Sequence, residues 1–199
     1  MKKFKLTSEF IVDISGVKLF RIKALIEFGN VKAGDLGGYI EKEENLSHMG
    51  GAWVSDDARI SGNAQVFGNA QVFGDAQVFG DAWVFGNARV FGNAQVFGDA
   101  QVFGDAWVSG NARVFGDAQV FGDARVSGDK DYAYAHGFGS CNRTTTFFRL
   151  KDGDVGVRCG CFYGTLAQFR DKVCETHGET KKAQEYLMLA DLMEIRFKN

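Results

Sequence analysis

Few residues of this 199-residue chain can do chemistry, and most lie outside its regular part. The histidines are His48, His136 and His177. A general base needs a neighbour that poises it and room for a substrate, and His136 is the one serious candidate. Directly after it runs Gly137-Phe138-Gly139-Ser140-Cys141-Asn142-Arg143-Thr144. Backbone N–H groups of a glycine turn, hydroxyls and a guanidinium together suit a phosphate. In that reading Arg143, Ser140 and Thr144 hold the phosphate with the Gly137–Gly139 backbone. A base then stacks on Phe138, Tyr134 or Tyr163. The run is not a Walker sequence, because the Gly-Lys-Ser/Thr end is missing. The competing reading is a plain turn into a Thr-rich strand.

Cys159-Gly160-Cys161 has one intervening residue, shorter than a zinc knuckle requires. Cys141, Cys174 and His177 could add ligands, but Cys174 and His177 fall on a helix expected to face elsewhere. The expectation is no metal and no cofactor, with the cysteines alternating along a strand.

The element that must position these groups is a six-residue repeat from Ala52 to Val126. Alanine recurs every sixth residue, and Val or Ile follows two residues later, with nothing inserted. The unit reads Ala-x-Val-Phe-Gly-Asp/Asn. Residues i and i+2 of a strand share a face, so Ala64 and Val66 point inward, Gln65 and Phe67 outward. Glycine and Asn/Asp then make a corner. Strands this short cannot bury a face alone, so they must coil and stack.

This pattern resembles the hexapeptide repeat of left-handed parallel β-helix proteins. The resemblance implies three hexapeptides per coil. Residues 18 apart then stack, with Val54, Val72, Val90, Val108 and Val126 on one face. A shaft of a little over four coils stands roughly 20 Å tall at about 4.8 Å per coil. Val31–Glu41 followed by Trp53-Val54 resembles a group of uncharacterised hexapeptide-repeat proteins of bacteria and their phages, some labelled acetyltransferases on fold alone. For this chain the resemblance implies an acetyl-CoA-dependent acyltransferase using His136, or an inert phage protein that sequesters a phosphorylated nucleotide-type signal of the host. The shaft carries no His and no extruded loop, so binding is preferred over catalysis and the question of enzyme activity stays open. A purely structural or protein-interaction scaffold is the third reading.

Nine repeats place Phe after the Val, and strand alternation sends these rings outward. Stacking along the corners would cover them. A homotrimer burying the Phe67, Phe85, Phe103 and Phe121 column is the other expectation, since soluble monomers avoid large exposed apolar areas. Trp53, Arg89, Trp107 and Arg125 share one face with Gln71 between, which predicts Arg-on-Trp stacking or a site for an anionic or planar ligand.

Residues 1–50 read as an N-terminal β cap and first irregular coil, with a hairpin about Ser15-Gly16. Gly34, Gly37 and Gly38 make only a weak ligand loop there. Residues 51–129 are the shaft. Residues 130–199 read as an α+β module: a transition from Tyr132 to Ser140, a hairpin about Lys151–Asp154, and two helices. Thr165 and Gln168 form a capping box opening the first helix. The second runs from Lys181 to about Arg196, with Ala183, Tyr186, Leu187, Ala190, Leu192 and Met193 on its apolar face. Net charge is −2, which gives no field for nucleic-acid polymers or membranes. There is no long apolar run and no leader pattern. The expectation is a cytoplasmic protein with reduced cysteines.

Overall fold

The computed structural model describes residues 2–140 and 142–198. Its centre is a parallel β-solenoid. Thirteen two-residue strands, β4 (Trp53–Val54) to β16 (Arg125–Val126), recur every six residues. Successive strands turn onto three faces, so each strand pairs with the one three repeats on. Val54, Val72, Val90, Val108 and Val126 stack in register on the third face, as the 18-residue spacing predicts. Each coil is bonded to the next through the backbone, as in Gln71 N–H to Ala88 O at 2.9 Å and Phe73 N–H to Val90 O at 3.0 Å. Every Ala and Val/Ile of the repeat from Ala52 to Val126 is buried. Between its two capped ends the prism is therefore filled with small and β-branched side chains.

The corner explains the glycine. Gly86 has φ +69°, and a Cβ there would lie 2.9 Å from the Gly104 nitrogen of the next coil. Both conformation and close stacking exclude a side chain.

The first coil is the irregular one. Ile40 pairs with Ile60 and Leu46 with Val66, twenty residues on, whereas Val54 pairs with Val72 eighteen on. Two extra residues thus lie between Leu46 and Val54. Three longer strands precede the shaft: β1 (Phe4–Val12), β2 (Lys18–Ala24) and β3 (Leu36–Ile40). They pair antiparallel, and β3 then joins the first face in parallel. Fully buried Lys3 closes this end: Nζ donates to Ala52 O at 2.7 Å and sits 4.7 Å from the Phe28 ring centre. Burial lowers its pKa from 10.5 to about 8. Gly37 and Gly38 serve packing: a Cβ would come within 2.5 Å of Ile22 Cγ1 at one and 2.6 Å of Ala58 O at the other.

The C-terminal module contains more sheet than a hairpin. β17 (Tyr132–Phe138), β18 (Arg143–Arg149), β19 (Val155–Cys159) and β20 (Phe162–Thr165) form an antiparallel sheet in that order. The stretch expected as a transition is β17; its Tyr-Ala-Tyr-Ala alternation is the strand signal. This sheet covers the last coil, with Phe148 entering the shaft core and Gln119 N–H donating to Thr146 Oγ1 at 3.1 Å. Helices α1 (Leu166–His177) and α2 (Lys181–Phe197) pack on its far side around Phe147, Val157, Phe169 and Tyr186. Thr165 and Gln168 form the reciprocal capping box at α1. On α2 the buried residues are Ala183, Tyr186, Ala190, Met193 and Phe197. Leu187 is half-buried, and Leu192 faces solvent, contrary to the sequence reading.

Candidate functional site

The third face carries a groove of about 670 Å³. Its floor is the outward column Gln71, Arg89, Trp107 and Arg125. The loop Phe28–Val31 overhangs its N-terminal end, and Asn69, Asn87 and Asp105 line one edge. The stacking expected from sequence is present: the Arg89 and Arg125 guanidiniums lie 5.3 and 4.3 Å from the Trp107 ring centre. The two arginines nevertheless differ. Arg125 Nη1 donates to the carbonyls of Asp105, Asp123 and Ala124 at 2.8–3.1 Å, so its charge is spent on the backbone. The Arg89 side chain makes no hydrogen bond or ion pair among the described residues and is exposed. Gln71 Nε2 donates to Gly51 O at 3.0 Å, and its carbonyl oxygen has no hydrogen bond among the described residues. The asparagines along the edge satisfy each other: Asn69 Nδ2 donates to Asn87 Oδ1, and Asn87 Nδ2 to Asp105 Oδ1. Trp53, the fourth aromatic or cationic member of the column, is buried under Phe28, whose ring meets it edge-on at 5.4 Å. It anchors the overhang instead of meeting a ligand.

A second cavity of about 680 Å³ lies on the second face, lined by Glu43, Glu44, His48, Phe67 and Trp83 among others. Its carboxylates oppose an anion. The third-face groove has two guanidiniums against the one carboxylate of Asp105, and so accepts one.

The glycine run of the C-terminal module is not assembled as a phosphate cradle. Gly139 N–H donates to Glu185 Oε2 at 2.8 Å, and Ser140 N–H to the Tyr186 hydroxyl at 3.0 Å. A carboxylate thus already occupies the anion position of that turn. A Cβ at Gly139 would fall 2.0 Å from the Tyr186 ring, so this glycine is a packing residue. Burial pushes the Tyr186 phenol up, keeping it neutral. Arg143 and Ser140 do line a pocket of about 200 Å³, together with Lys172, Thr176, His177 and Cys161. That volume suits a small inorganic anion, and Lys172 is already paired with Glu175 at 2.8 Å. Gly137 and Phe138 are exposed at the end of β17. Thr144 Oγ1 lies 2.9 Å from His136 Nδ1. Tyr134 and Tyr163 are elsewhere. Tyr134 meets Phe115 edge-on at 5.6 Å, and Tyr163 caps Phe121 at 4.2 Å. The structure therefore brings together Ser140 and Arg143 but not the two tyrosines with them. Cys141 lies outside the described residues.

His136 is exposed, 4.0 Å from Asp117 Oδ2, and lines none of the cavities described above. His48 accepts the Lys3 N–H at Nδ1 (3.2 Å), and its Nε2, 3.7 Å from Glu43 Oε2, is buried without a hydrogen bond. His177 lies against the Tyr186 ring at 5.7 Å.

The phenylalanines form ladders along the corners. Phe67, Phe85, Phe103 and Phe121 stack at 4.7–4.9 Å with interplanar angles of 3–11°, and Tyr163 closes the column. The coil spacing exceeds the ~3.5 Å contact distance of two rings, so parallel rings must slip sideways into the offset geometry that their quadrupoles prefer. Ring faces are thus covered within one chain.

Among the described residues no helix is long and apolar enough to cross a membrane. A search of curated proteins finds no match to the chain. Residues 58–80, the start of the regular repeat, match the family described as the YdcK beta solenoid repeat, and the chain is similar to that family over this segment.

Proposed function

We propose that this protein is a non-catalytic binding solenoid whose third face holds an anionic ligand of nucleotide size beneath the Phe28–Val31 loop. The observation that carries this reading is Arg89. It is an unpaired guanidinium, stacked on Trp107, in a groove whose volume lies in the ~300–1,000 Å³ range of small-molecule sites. Phosphate meets Arg89, while the Gln71 carbonyl and the Phe28 edge are left for a base or sugar. The phosphorylated nucleotide-type host signal implied by the phage resemblance has this chemistry. Sequestering it needs affinity and no catalytic group, in keeping with the arrangement of the three histidines.

Calorimetric titration with ADP-ribose-type and cyclic dinucleotide ligands tests the reading. One class should give saturable heat. Arg89→Ala should weaken binding by about tenfold or more, since a charge-assisted hydrogen bond is worth roughly 1.5–3 kcal/mol. Arg143→Ala should leave it unchanged. Loss through Arg143→Ala alone would move the site to the C-terminal module. Flat titrations with both classes would overturn the proposal in favour of the scaffold reading.

A further inference from the structure

Helix α2 is apolar on two opposite sides. Its inner side, Ala183, Tyr186, Ala190, Met193 and Phe197, is buried in the module. Diametrically opposite at 100° per residue lie Met188, Leu192 and Ile195, exposed by 70%, 55% and 70%. A surface helix packed on one side should be polar there. The stripe runs on into a cavity of about 490 Å³ between α2 and the last coils, which Leu192 lines together with Phe115 and Tyr134. Phe115, 37% exposed, is the most exposed ring of the ladders.

We propose that this stripe is a two-fold interface with a second copy of the chain, formed by antiparallel contact of the two α2 helices. A two-fold patch must be complementary to itself. Met188 and Ile195 lie symmetrically about the midpoint between Asp191 and Leu192. Antiparallel pairing about that point sets Met188 of one copy on Ile195 of the other, twice, with the two Leu192 side chains between. One flank matches as well. Glu185 and Arg196 are eleven residues apart, close to three turns, and share one flank; Asp191 and Lys198 share the other. In an antiparallel pair like flanks face each other, so Glu185 of one copy comes within two residues' rise of Arg196 of the other, while on the second flank the two Asp191 side chains meet, each already paired with its own Arg170. All four already have intramolecular partners, so they set orientation more than strength. A lipid surface fits less well, because each flank carries a carboxylate.

The three side chains offer on the order of 400 Å² per copy, about half of a standard partner surface. The dimer is therefore weak and concentration-dependent. It is independent of the ligand groove, which lies on the solenoid shaft.

Sedimentation equilibrium over rising concentration tests the inference. The wild-type chain should pass from monomer to dimer. Met188→Lys and Ile195→Glu, both at exposed positions, should each raise the dissociation constant at least about tenfold while leaving circular dichroism and unfolding unchanged. An equimolar mixture of the two variants should dimerise again, because the lysine of one then meets the glutamate of the other. A wild-type chain that stays monomeric would overturn the proposal. So would association that survives both variants, a trimer mass, or a mixture that fails to recover.

Discussion

Phe85→Ala separates two explanations of the aromatic corners. Phe85 stacks between Phe67 at 4.9 Å and Phe103 at 4.7 Å, with interplanar angles of 3° and 4°. Each such pair is worth about 0.5–1.5 kcal/mol beyond area burial. The ring is half-buried, which adds about 1–1.5 kcal/mol of lost apolar transfer. The sum is about 2–4 kcal/mol, a little below the 3–5 kcal/mol of a fully buried Phe→Ala change. Because the pairs lie within one chain, the loss should be the same at low and high protein concentration. Urea unfolding followed by circular dichroism at both concentrations reads it. The variant's coils should still stack, since the backbone ladder and the Ala/Val interior are untouched. A cost that grows with protein concentration would refute the intramolecular account and return the column to an oligomer interface. A cost below about 1 kcal/mol would show that the ladder is surface decoration, since even a half-buried ring with no pairing term should exceed that.

Gly104→Ala should cost more than about 1–2 kcal/mol, because φ is +69° and the new Cβ would lie 2.9 Å from Gly122 N; Gly128→Ala, at φ −163° in open space, should stay within about 0.5 kcal/mol. Thermal melts of the pair compare them directly. Arg125→Ala, which removes three carbonyl contacts, should lower the melting temperature, while Arg89→Ala should leave it nearly unchanged. Both should alter Trp107 fluorescence, since both guanidiniums stack on that ring. For Lys3 the folded pKa of about 8 is below the unfolded 10.5, so between these values the unfolded chain holds the extra proton. Stability should therefore rise with pH across that window, by on the order of 2 kcal/mol, relative to Lys3→Met. A flat difference between the two stability curves would show that Lys3 titrates normally.

The shaft was legible because its information is local and repeated. Ala64, Val66 and Gly68 each declare a role that recurs in every repeat, and an 18-residue spacing then decides which residues stack. The Arg89–Trp107–Arg125 sandwich followed from the same arithmetic. Alternation was less informative at the corners. It sent Phe67 and its equivalents outward, which is right for direction, but the chain turns immediately afterwards and lays each ring on the next. Leu192 was misplaced for a different reason. Periodicity locates an apolar face, and α2 has two, so Leu192 was merged with the inner one. In the glycine run, composition does not say which donors are already used; Glu185 and Tyr186, some 46 residues away, take the Gly139 and Ser140 N–H groups. The overhang of Phe28–Val31 on Trp53 is equally long-range, and no local signal marks it.

These failures share a cause that also bears on function. A perfectly periodic solenoid has flat, repeating faces, and its backbone donors and acceptors are consumed coil to coil. Concave surface can arise only where the repeat is broken or overhung. The third-face groove exists because the Phe28–Val31 loop covers Trp53 and stops above Gln71. The second-face cavity borders the two-residue insertion after Leu46. The pockets around Tyr134 and Arg143 lie where β17, β18 and the two helices replace the coil. The strands between, from Gln77 to Gln101, contribute rigidity and a fixed 18-residue spacing of side chains. Within that framework one substitution matters most: where the column could continue with Gln, as at Gln71, it places Arg89 instead. Apart from its stacking on Trp107, this guanidinium has no hydrogen-bond or ion-pair partner among the described residues. Its pairing is left to whatever enters beneath the loop.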